Sequence, residues 1–226
     1  MAALLGNAPP ARAQTGPCRP DAHGSFICGS GDGAARVIDN TLSPDKRLAF
    51  AWRATKSPPT EIPDDDDELE MLVVRLADGA ILARRPTGYW DTGTLHVNRL
   101  QEQALWAADG SFVVRAIQAR FDTPTLEIFA VRAGDKVTGP LNLRALVESA
   151  LRAQWKGARP FADYMFFSGL PGGSTISGSG ELRFPVAMLI PKMGPEENFD
   201  VAMQITRAPD GLHGSVTKVT PRPDKN

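Results

Sequence analysis

The chain has little of what metal centres, nucleic-acid surfaces and membrane spans are built from. Its 226 residues contain two cysteines and three histidines, and its formal net charge at neutral pH is −1. The histidines, His23, His96 and His213, do not stand at metal-ligand spacing from one another, and two cysteines alone cannot complete a zinc site. The small net charge gives no field that would attract nucleic acid. No apolar run reaches the ~18 residues of a transmembrane helix. The sequence therefore predicts no metal, no cofactor, no nucleic-acid partner and no transmembrane segment.

The glycine- and serine-rich segments lack the context of a catalytic or phosphate-binding motif. Gly178-Ser179-Gly180 leads into a predicted strand at 181–190, whereas a nucleophilic serine elbow joins a strand to a helix. The run Gly29-Ser30-Gly31-Asp32-Gly33 neither follows a predicted strand nor opens an apolar helix, so it does not match a phosphate loop. These patterns predict no catalytic residue.

The first residues indicate export. Ala11-Arg12-Ala13 before Gln14 fits the small-x-small pattern of a signal-peptide cleavage site. No positively charged segment precedes it, and the apolar stretch at residues 2–5 is short for a signal peptide. Either the start codon is placed too far downstream, which would shorten the signal peptide, or these residues form a flexible Ala/Pro tail. We expect a periplasmic or secreted protein.

The two cysteines, Cys18 and Cys28, stand ten positions apart just after this site. An even cysteine count beside an export-like terminus favours a disulfide, because exported proteins fold in oxidising compartments. The alternative is two free thiols in a cytosolic protein. Residues 1–35 otherwise predict an irregular lead-in that the disulfide would hold down.

Two similar segments indicate a duplicated β-meander. Leu69-Glu70-Met71-Leu72-Val73-Val74-Arg75 recurs 57 residues later as Leu126-Glu127-Ile128-Phe129-Ala130-Val131-Arg132. The turns before them, at Asp45 and Asp109, are 64 residues apart, so the first copy has an extra loop of seven residues. That loop holds the acidic run at 64–68. Internal similarity of this kind points to repeated supersecondary units.

One helix is predicted at about 142–156, where Asn142 can cap and Leu143, Val147 and Leu151 recur at helical spacing. Most of the rest reads as short strands and turns, among them strands at 47–53 and 68–76 and a possible strand at 94–100 with Leu95 and Val97 on one face. The predicted fold class is α+β, mainly β: repeated antiparallel meanders, as a twisted sheet or a partial propeller, packed with this principal helix. The predicted organisation is a single β-rich domain at 36–220 followed by a loose tail at 221–226. Its repeat units are 42–82, 105–139 and a weaker one at 180–219.

The openings of the two units, Leu42-Ser43-Pro44-Asp45-Lys46-Arg47-Leu48-Ala49-Phe50 and Trp106-Ala107-Ala108-Asp109-Gly110-Ser111-Phe112-Val113-Val114, resemble blade openings of the periplasmic TolB-type β-propellers. In that family a Ser-Pro-Asp-Gly turn leads into the central strands of a blade. Here Lys46 replaces the glycine and Ala107-Ala108 replaces Ser-Pro. The resemblance implies shared strand and turn patterns over about 80 residues, and it implies no ligand or partner. The chain is too short for a complete ring of blades.

If any surface binds a ligand, the sequence favours the segment between the two units, with Trp90, Asp91, His96 and Arg99 as candidate binding residues. Tyr89 and Trp90 could form a recognition patch, or they could plug the end of the core, which the usual burial of aromatic residues favours. The acidic run at 64–68 has no glycine to shape a calcium loop. It is expected to be a solvated insertion that could contact a basic partner.

The predicted function is an exported, non-enzymatic protein that binds a ligand or supports a partner in the cell envelope. The alternative is a periplasmic hydrolase in which a carboxylate and a histidine, such as Asp91 and His96, come together. A purely structural domain of a larger complex is a third possibility. Open meander edges can pair between chains, so a homodimer is a candidate state.

Overall fold

A computed structural model describes residues 16–120, 122–154, 165–170, 172–189 and 197–222. The described chain forms three antiparallel sheets and one α-helix, which confirms the predicted fold class. The first 15 residues, which contain the cleavage-site pattern, lie outside the described part.

The N-terminal sheet is a six-stranded meander in sequence order. Its strands are β1 (Cys18–Pro20), β2 (Phe26–Cys28), β3 (Ala35–Val37), β4 (Leu48–Ala54), β5 (Leu69–Arg75) and β6 (Ala80–Pro86). The prediction that the lead-in is irregular was therefore wrong for β1 and β2. Two three-residue strands are too short to show an alternating pattern in the sequence.

The middle sheet is a four-stranded meander whose strands also follow sequence order. They are β7 (Leu100–Trp106), β8 (Phe112–Ala119), β9 (Thr125–Arg132) and β10 (Lys136–Asn142). The strand expected at 94–100 was wrong, because the chain turns back on itself there and β7 begins only at Leu100.

The C-terminal sheet follows the helix α1 (Leu143–Gln154). Its strands are β11 (Met165–Ser168), β12 (Thr175–Ile176), β13 (Glu181–Leu189), β14 (Glu197–Ala208) and β15 (Gly211–Arg222). Asn142 caps the helix as predicted, since its side-chain oxygen accepts a hydrogen bond from the Ala145 amide at 3.0 Å. Part of the tail that was predicted to be loose belongs to β15, where Pro221 pairs with Phe199.

Apolar layers hold the sheets together. Phe50 and Trp52 of the N-terminal sheet pack on Phe129 of the middle sheet, and the ring centroids of Phe50 and Phe129 are 5.8 Å apart. The opposite face of the middle sheet packs on α1 and the C-terminal sheet, through residues such as Ile128 and Val147. Both faces of β8 are therefore buried, which explains its nearly continuous apolar sequence.

The turns that precede β4 and β8 have the same hydrogen bonds. The Ser43 amide donates to Leu48 O at 2.8 Å, and the Ala107 amide donates to Phe112 O at 2.9 Å. Lys46 and Gly110 occupy matching positions with positive φ values of 56° and 71°. Lysine thus adopts the conformation for which glycine is the usual residue.

The paired strands of the two meanders differ in register by two residues from the match between their sequences. Leu48 pairs with Arg75, and Phe112 pairs with Ala130. Arg75 and Ala130 are 55 positions apart, whereas the similar heptads are 57 apart. The connection at 55–68 is consequently nine residues longer than the connection at 120–124, not seven. A shift of two residues keeps every side chain on the same face, so the match in sequence persists although the pairing differs. The duplication itself stays a prediction.

Candidate functional site

The long connections of the two meanders lie at one end of the molecule. β4 ends at Ala54 where β5 begins at Leu69, and β7 begins at Leu100 opposite Ala119 at the end of β8. We call this end, with residues 55–68, 87–99 and Arg120, the loop end. The opposite end carries the connections at 38–47, 76–79, 107–111 and 133–135, and we call it the turn end.

The turn end is cross-linked between sheets. Asp135 accepts a hydrogen bond from Arg47 at 3.0 Å and another from Arg75 at 3.1 Å. Arg75 ends β5 and Arg47 directly precedes β4, whereas Asp135 lies between β9 and β10.

Three of the four predicted binding residues, Trp90, Asp91 and His96, meet in a small hairpin at the loop end. The Val97 amide donates to Trp90 O at 3.0 Å, and the backbones of Asp91 and His96 form an isolated antiparallel bridge. Trp52 anchors the hairpin, because its Nε1 donates to Asp91 O at 2.8 Å. The fourth predicted residue, Arg99, follows the hairpin with a positive φ of 64°.

Tyr89 and Trp90 pack on the core between the N-terminal and middle sheets, as the plug interpretation predicts. Tyr89 is buried, and Trp90 is partly buried. Burial raises the pKa of the Tyr89 hydroxyl above its usual range, and the nearby carboxylate of Asp91 adds to the effect.

Asp91 and His96 direct their side-chain hydrogen bonds to other groups. Asp91 accepts from the Gly93 amide at 2.6 Å and from the Tyr89 hydroxyl at 3.4 Å. The Nδ1 atom of His96 lies 3.0 Å from the carbonyl oxygen of Val97. In the described part of the chain, no hydrogen bond joins the Asp91 carboxylate to the His96 imidazole. The hydrolase alternative stays a prediction.

A cavity of about 320 Å³ opens between the hairpin and the adjoining ends of β7 and β8. We call it the basic cavity, because its ionisable lining residues are His96, Arg99 and Arg120. Its other lining residues are Leu100, Gln101, Gln118 and Ala119. Gln118 is held in the wall by donating to Ser168 O at 2.9 Å and to Leu170 O at 3.1 Å. Arg99 is exposed at this cavity, and a guanidinium group can form charge-assisted hydrogen bonds with an anionic group.

The neighbouring connection at 55–68, which we call the acidic loop, is organised by one of its own carboxylates. Asp67 accepts hydrogen bonds from the Ser57 hydroxyl, from the Lys56 amide at 2.7 Å and from the Asp64 amide at 3.2 Å. The hydrogen bond from Ser57 is the main cause of a lowered pKa at Asp67. The carboxylates of Asp65 and Glu68 are exposed.

Among the described residues, two large apolar side chains are exposed, and both lie at the loop end. Leu95, at the tip of the hairpin, is 53 % exposed, and Ile62, in the acidic loop, is 55 % exposed. Isolated exposed apolar residues are common on protein surfaces. Here Ile62 lies close to the acidic run at 64–68, and Leu95 directly precedes His96.

Two buried ionic groups lie close to the segment at 87–99, and neither was predicted from the sequence. Arg115 donates two hydrogen bonds to Glu102, at 2.8 and 2.7 Å, and one to Glu127 at 2.8 Å. Burial raises the pKa of Glu102 against the opposing charge of Arg115. An arginine at an inward position of an apolar strand, between Val114 and Ala116, is a signal that could have revealed this group.

The second group links the disulfide hairpin to the candidate site. Arg36 is buried, and its Nη2 atom lies 2.7 Å from a carboxylate oxygen of Asp21. Burial acts to raise the pKa of Asp21, but hydrogen bonds from the His23 amide and from Arg36 outweigh it and lower that pKa. Asp21 lies between β1 and β2, so the lead-in supports residues at the loop end.

The predicted disulfide between Cys18 and Cys28 is confirmed. Among the described residues, no group of three or more His, Cys, Asp or Glu side chains is arranged to hold a metal ion. None of the described helices has the length and hydrophobicity to cross a bilayer.

Comparisons with protein-family models, with curated proteins and with solved structures find no match for this chain. The resemblance to TolB-type blades therefore stays a prediction.

Proposed function

We propose that this chain is an exported, non-enzymatic binding protein of the periplasm or the extracellular space, and that its loop end binds an acidic group of a partner. The basic cavity carries this proposal, because each of its ionisable lining residues is basic. Of three further cavities in the described part of the chain, two combine basic with acidic side chains, and the third has Glu102 as its ionisable residue.

A cavity on the C-terminal sheet differs from the basic cavity in the charges of its lining residues. There a cavity of about 380 Å³ is lined by Arg183 and Lys218, but also by Asp200. A carboxylate in the lining repels an anionic ligand and competes with it for the cations. Among the described residues that line the basic cavity there is no carboxylate.

The disulfide supports the exported part of the proposal. Such bonds persist in the periplasm and outside the cell, and they are rare in the cytosol. Alkylation of free thiols before and after reduction, on protein taken from fractionated cells, tests this part. We expect an oxidised pair in the periplasmic or secreted fraction. Reduced thiols in a cytosolic fraction would contradict export.

A charge-reversal experiment tests the binding part. We expect an oligo-aspartate peptide to shift the amide resonances of residues 95–101 and 118–120, and an oligo-asparagine peptide of equal length to leave them unchanged. Arg99→Glu should weaken the binding of oligo-aspartate by at least about tenfold, because it replaces attraction by repulsion. The matched control is Arg183→Glu, an exposed arginine on the C-terminal sheet. Equal losses in both variants would show that the peptide responds only to net charge.

A further inference from the structure

We propose that two copies of this chain associate through their loop ends, with the acidic loop of one copy against the basic cavity of the other. This inference rests on the proposed function, since it names a partner for the same cavity. It commits to a second copy because this chain carries both halves of a complementary pair of surfaces.

Charge complementarity is the first argument. The basic cavity presents Arg99, and the acidic loop presents Asp65; both side chains are exposed. Neither residue takes part in a hydrogen bond or ion pair in the described part of the chain. By contrast, Asp66 is paired with Lys56 at 2.5 Å, and Asp67 is occupied within its own loop. The exposed Arg99 of one copy is thus available to pair with the exposed Asp65 of the other.

The exposed apolar residues are the second argument. Ile62 precedes the acidic run by two positions, and Leu95 precedes His96. When acidic loop and basic cavity meet, an aliphatic side chain on each surface can cover its counterpart on the other. An apolar contact surrounded by polar groups is the usual arrangement of a protein interface.

Location at one end of the molecule is the third argument. Because both surfaces lie at the loop end, a twofold axis through that end brings each surface of one chain to the complementary surface of the other. The two contacts are then equivalent, and the assembly closes as a dimer. Surfaces at opposite ends would instead produce an open chain of molecules.

Sedimentation velocity over a range of protein concentrations tests this proposal. We expect a reversible monomer–dimer equilibrium that weakens as sodium chloride rises from about 50 to about 500 mM, because salt screens exposed charges. Arg99→Glu and Asp65→Arg should each raise the dimer dissociation constant at least about tenfold. The combined variant, with both charges exchanged, should recover most of the lost affinity. Arg183→Glu is the control and should behave as the unmodified protein does.

Several outcomes would overturn the inference. A protein that remains monomeric at about 1 mM, a dimer that is insensitive to salt, or a charge-exchanged variant that fails to recover would each do so. Circular dichroism confirms that each variant is folded, and the salt dependence needs no variant at all. If oligo-aspartate binds to a protein that stays monomeric, the proposed function stands and the dimer fails. If the dimer forms as expected but oligo-aspartate does not bind, the dimer stands and the general affinity for acidic partners fails.

Discussion

Gly93 lies directly against the guanidinium of Arg36, so closely that a Cβ atom at Gly93 would be 2.1 Å from Nη2 of the arginine. Gly93 also has a φ of 87°, which side chains other than glycine rarely adopt. The contact couples the hairpin that carries Asp91 and His96 to the buried pair of Arg36 and Asp21. Replacement of Gly93 should therefore disturb both the hairpin and the ion pair of Arg36 with Asp21.

We expect Gly93→Ala to lower the free energy of unfolding by about 1–3 kcal/mol, from backbone strain together with displacement of Arg36. Chemical denaturation measures the loss. Gly88→Ala is the matched control, since a Cβ atom there meets nothing within 4 Å and its φ is not positive. An equal effect at both positions would contradict the proposed contact.

Removal of Arg115 should leave an unpaired buried carboxyl. We expect Arg115→Met to destabilise the protein by about 3–5 kcal/mol at neutral pH, the usual cost of breaking a buried ion pair from one side. With its partner gone, the pKa of Glu102 in the folded state should rise further above the unfolded value, because burial then acts unopposed. The folded state of the variant would favour the protonated carboxyl.

The sign of the pH dependence follows from this shift. A carboxyl whose folded-state pKa is raised stabilises the fold at a pH below its unfolded pKa, and that contribution is lost as the pH rises through the folded value. The difference in stability between Arg115→Met and the unmodified protein should therefore grow between pH 4 and pH 7, in denaturation curves collected at each pH. A difference that is constant with pH would contradict the role of Glu102.

Loss of the disulfide should loosen the first two strands. We expect Cys18→Ala/Cys28→Ala to cost about 2–3 kcal/mol in the chain-entropy model, for a bridge that spans ten positions. Hydrogen exchange should accelerate in β1 and β2 before it does so in β8 and β9. Uniform acceleration across all sheets would show that the bridge stabilises the whole fold instead of its first hairpin.

Asp45 should make a small contribution to stability at neutral pH. Its hydrogen bonds with Ser43 and Arg47 lower its pKa from 3.8 to about 2, against some burial. A carboxyl whose folded-state pKa is lowered stabilises the fold above its unfolded pKa, and this is lost as the pH falls from about 4 towards 2. Because the side chain is 48 % exposed, solvent screening limits the effect to under about 1 kcal/mol. Asp45→Asn should therefore lower stability slightly at pH 7 and not at pH 2, as measured by thermal unfolding.

Much of the sheet structure could be predicted because periodicity and turn chemistry are local. The paired strands β4 and β5 and the cap at Asn142 follow from alternating apolar residues and from residues that favour turns or helix starts. The hairpin at 90–97 was misread as the beginning of a strand, because Leu95 and Val97 alternate with His96. The exposure of Leu95 depends on where the chain crosses between sheets, and this is a tertiary property.

The candidate site was predictable only in part. Residues near one another in the sequence, Trp90 to Arg99, were identified, whereas Arg120 reaches the same cavity through the pairing of β7 with β8. The pairing of Arg36 with Asp21 likewise depends on a strand register that no local pattern encodes. The most distant contributions to the site are thus the ones that the sequence did not reveal.

The unequal connections at the loop end bear on how such a protein could diversify. A segment inserted between β4 and β5 emerges beyond the paired strands, so that its length and charge can change without moving any hydrogen bond of the N-terminal sheet. The arginine–aspartate cross-link at the opposite end meanwhile keeps the two meanders aligned. Relatives with the same scaffold could therefore acquire different specificities by exchanging this one segment.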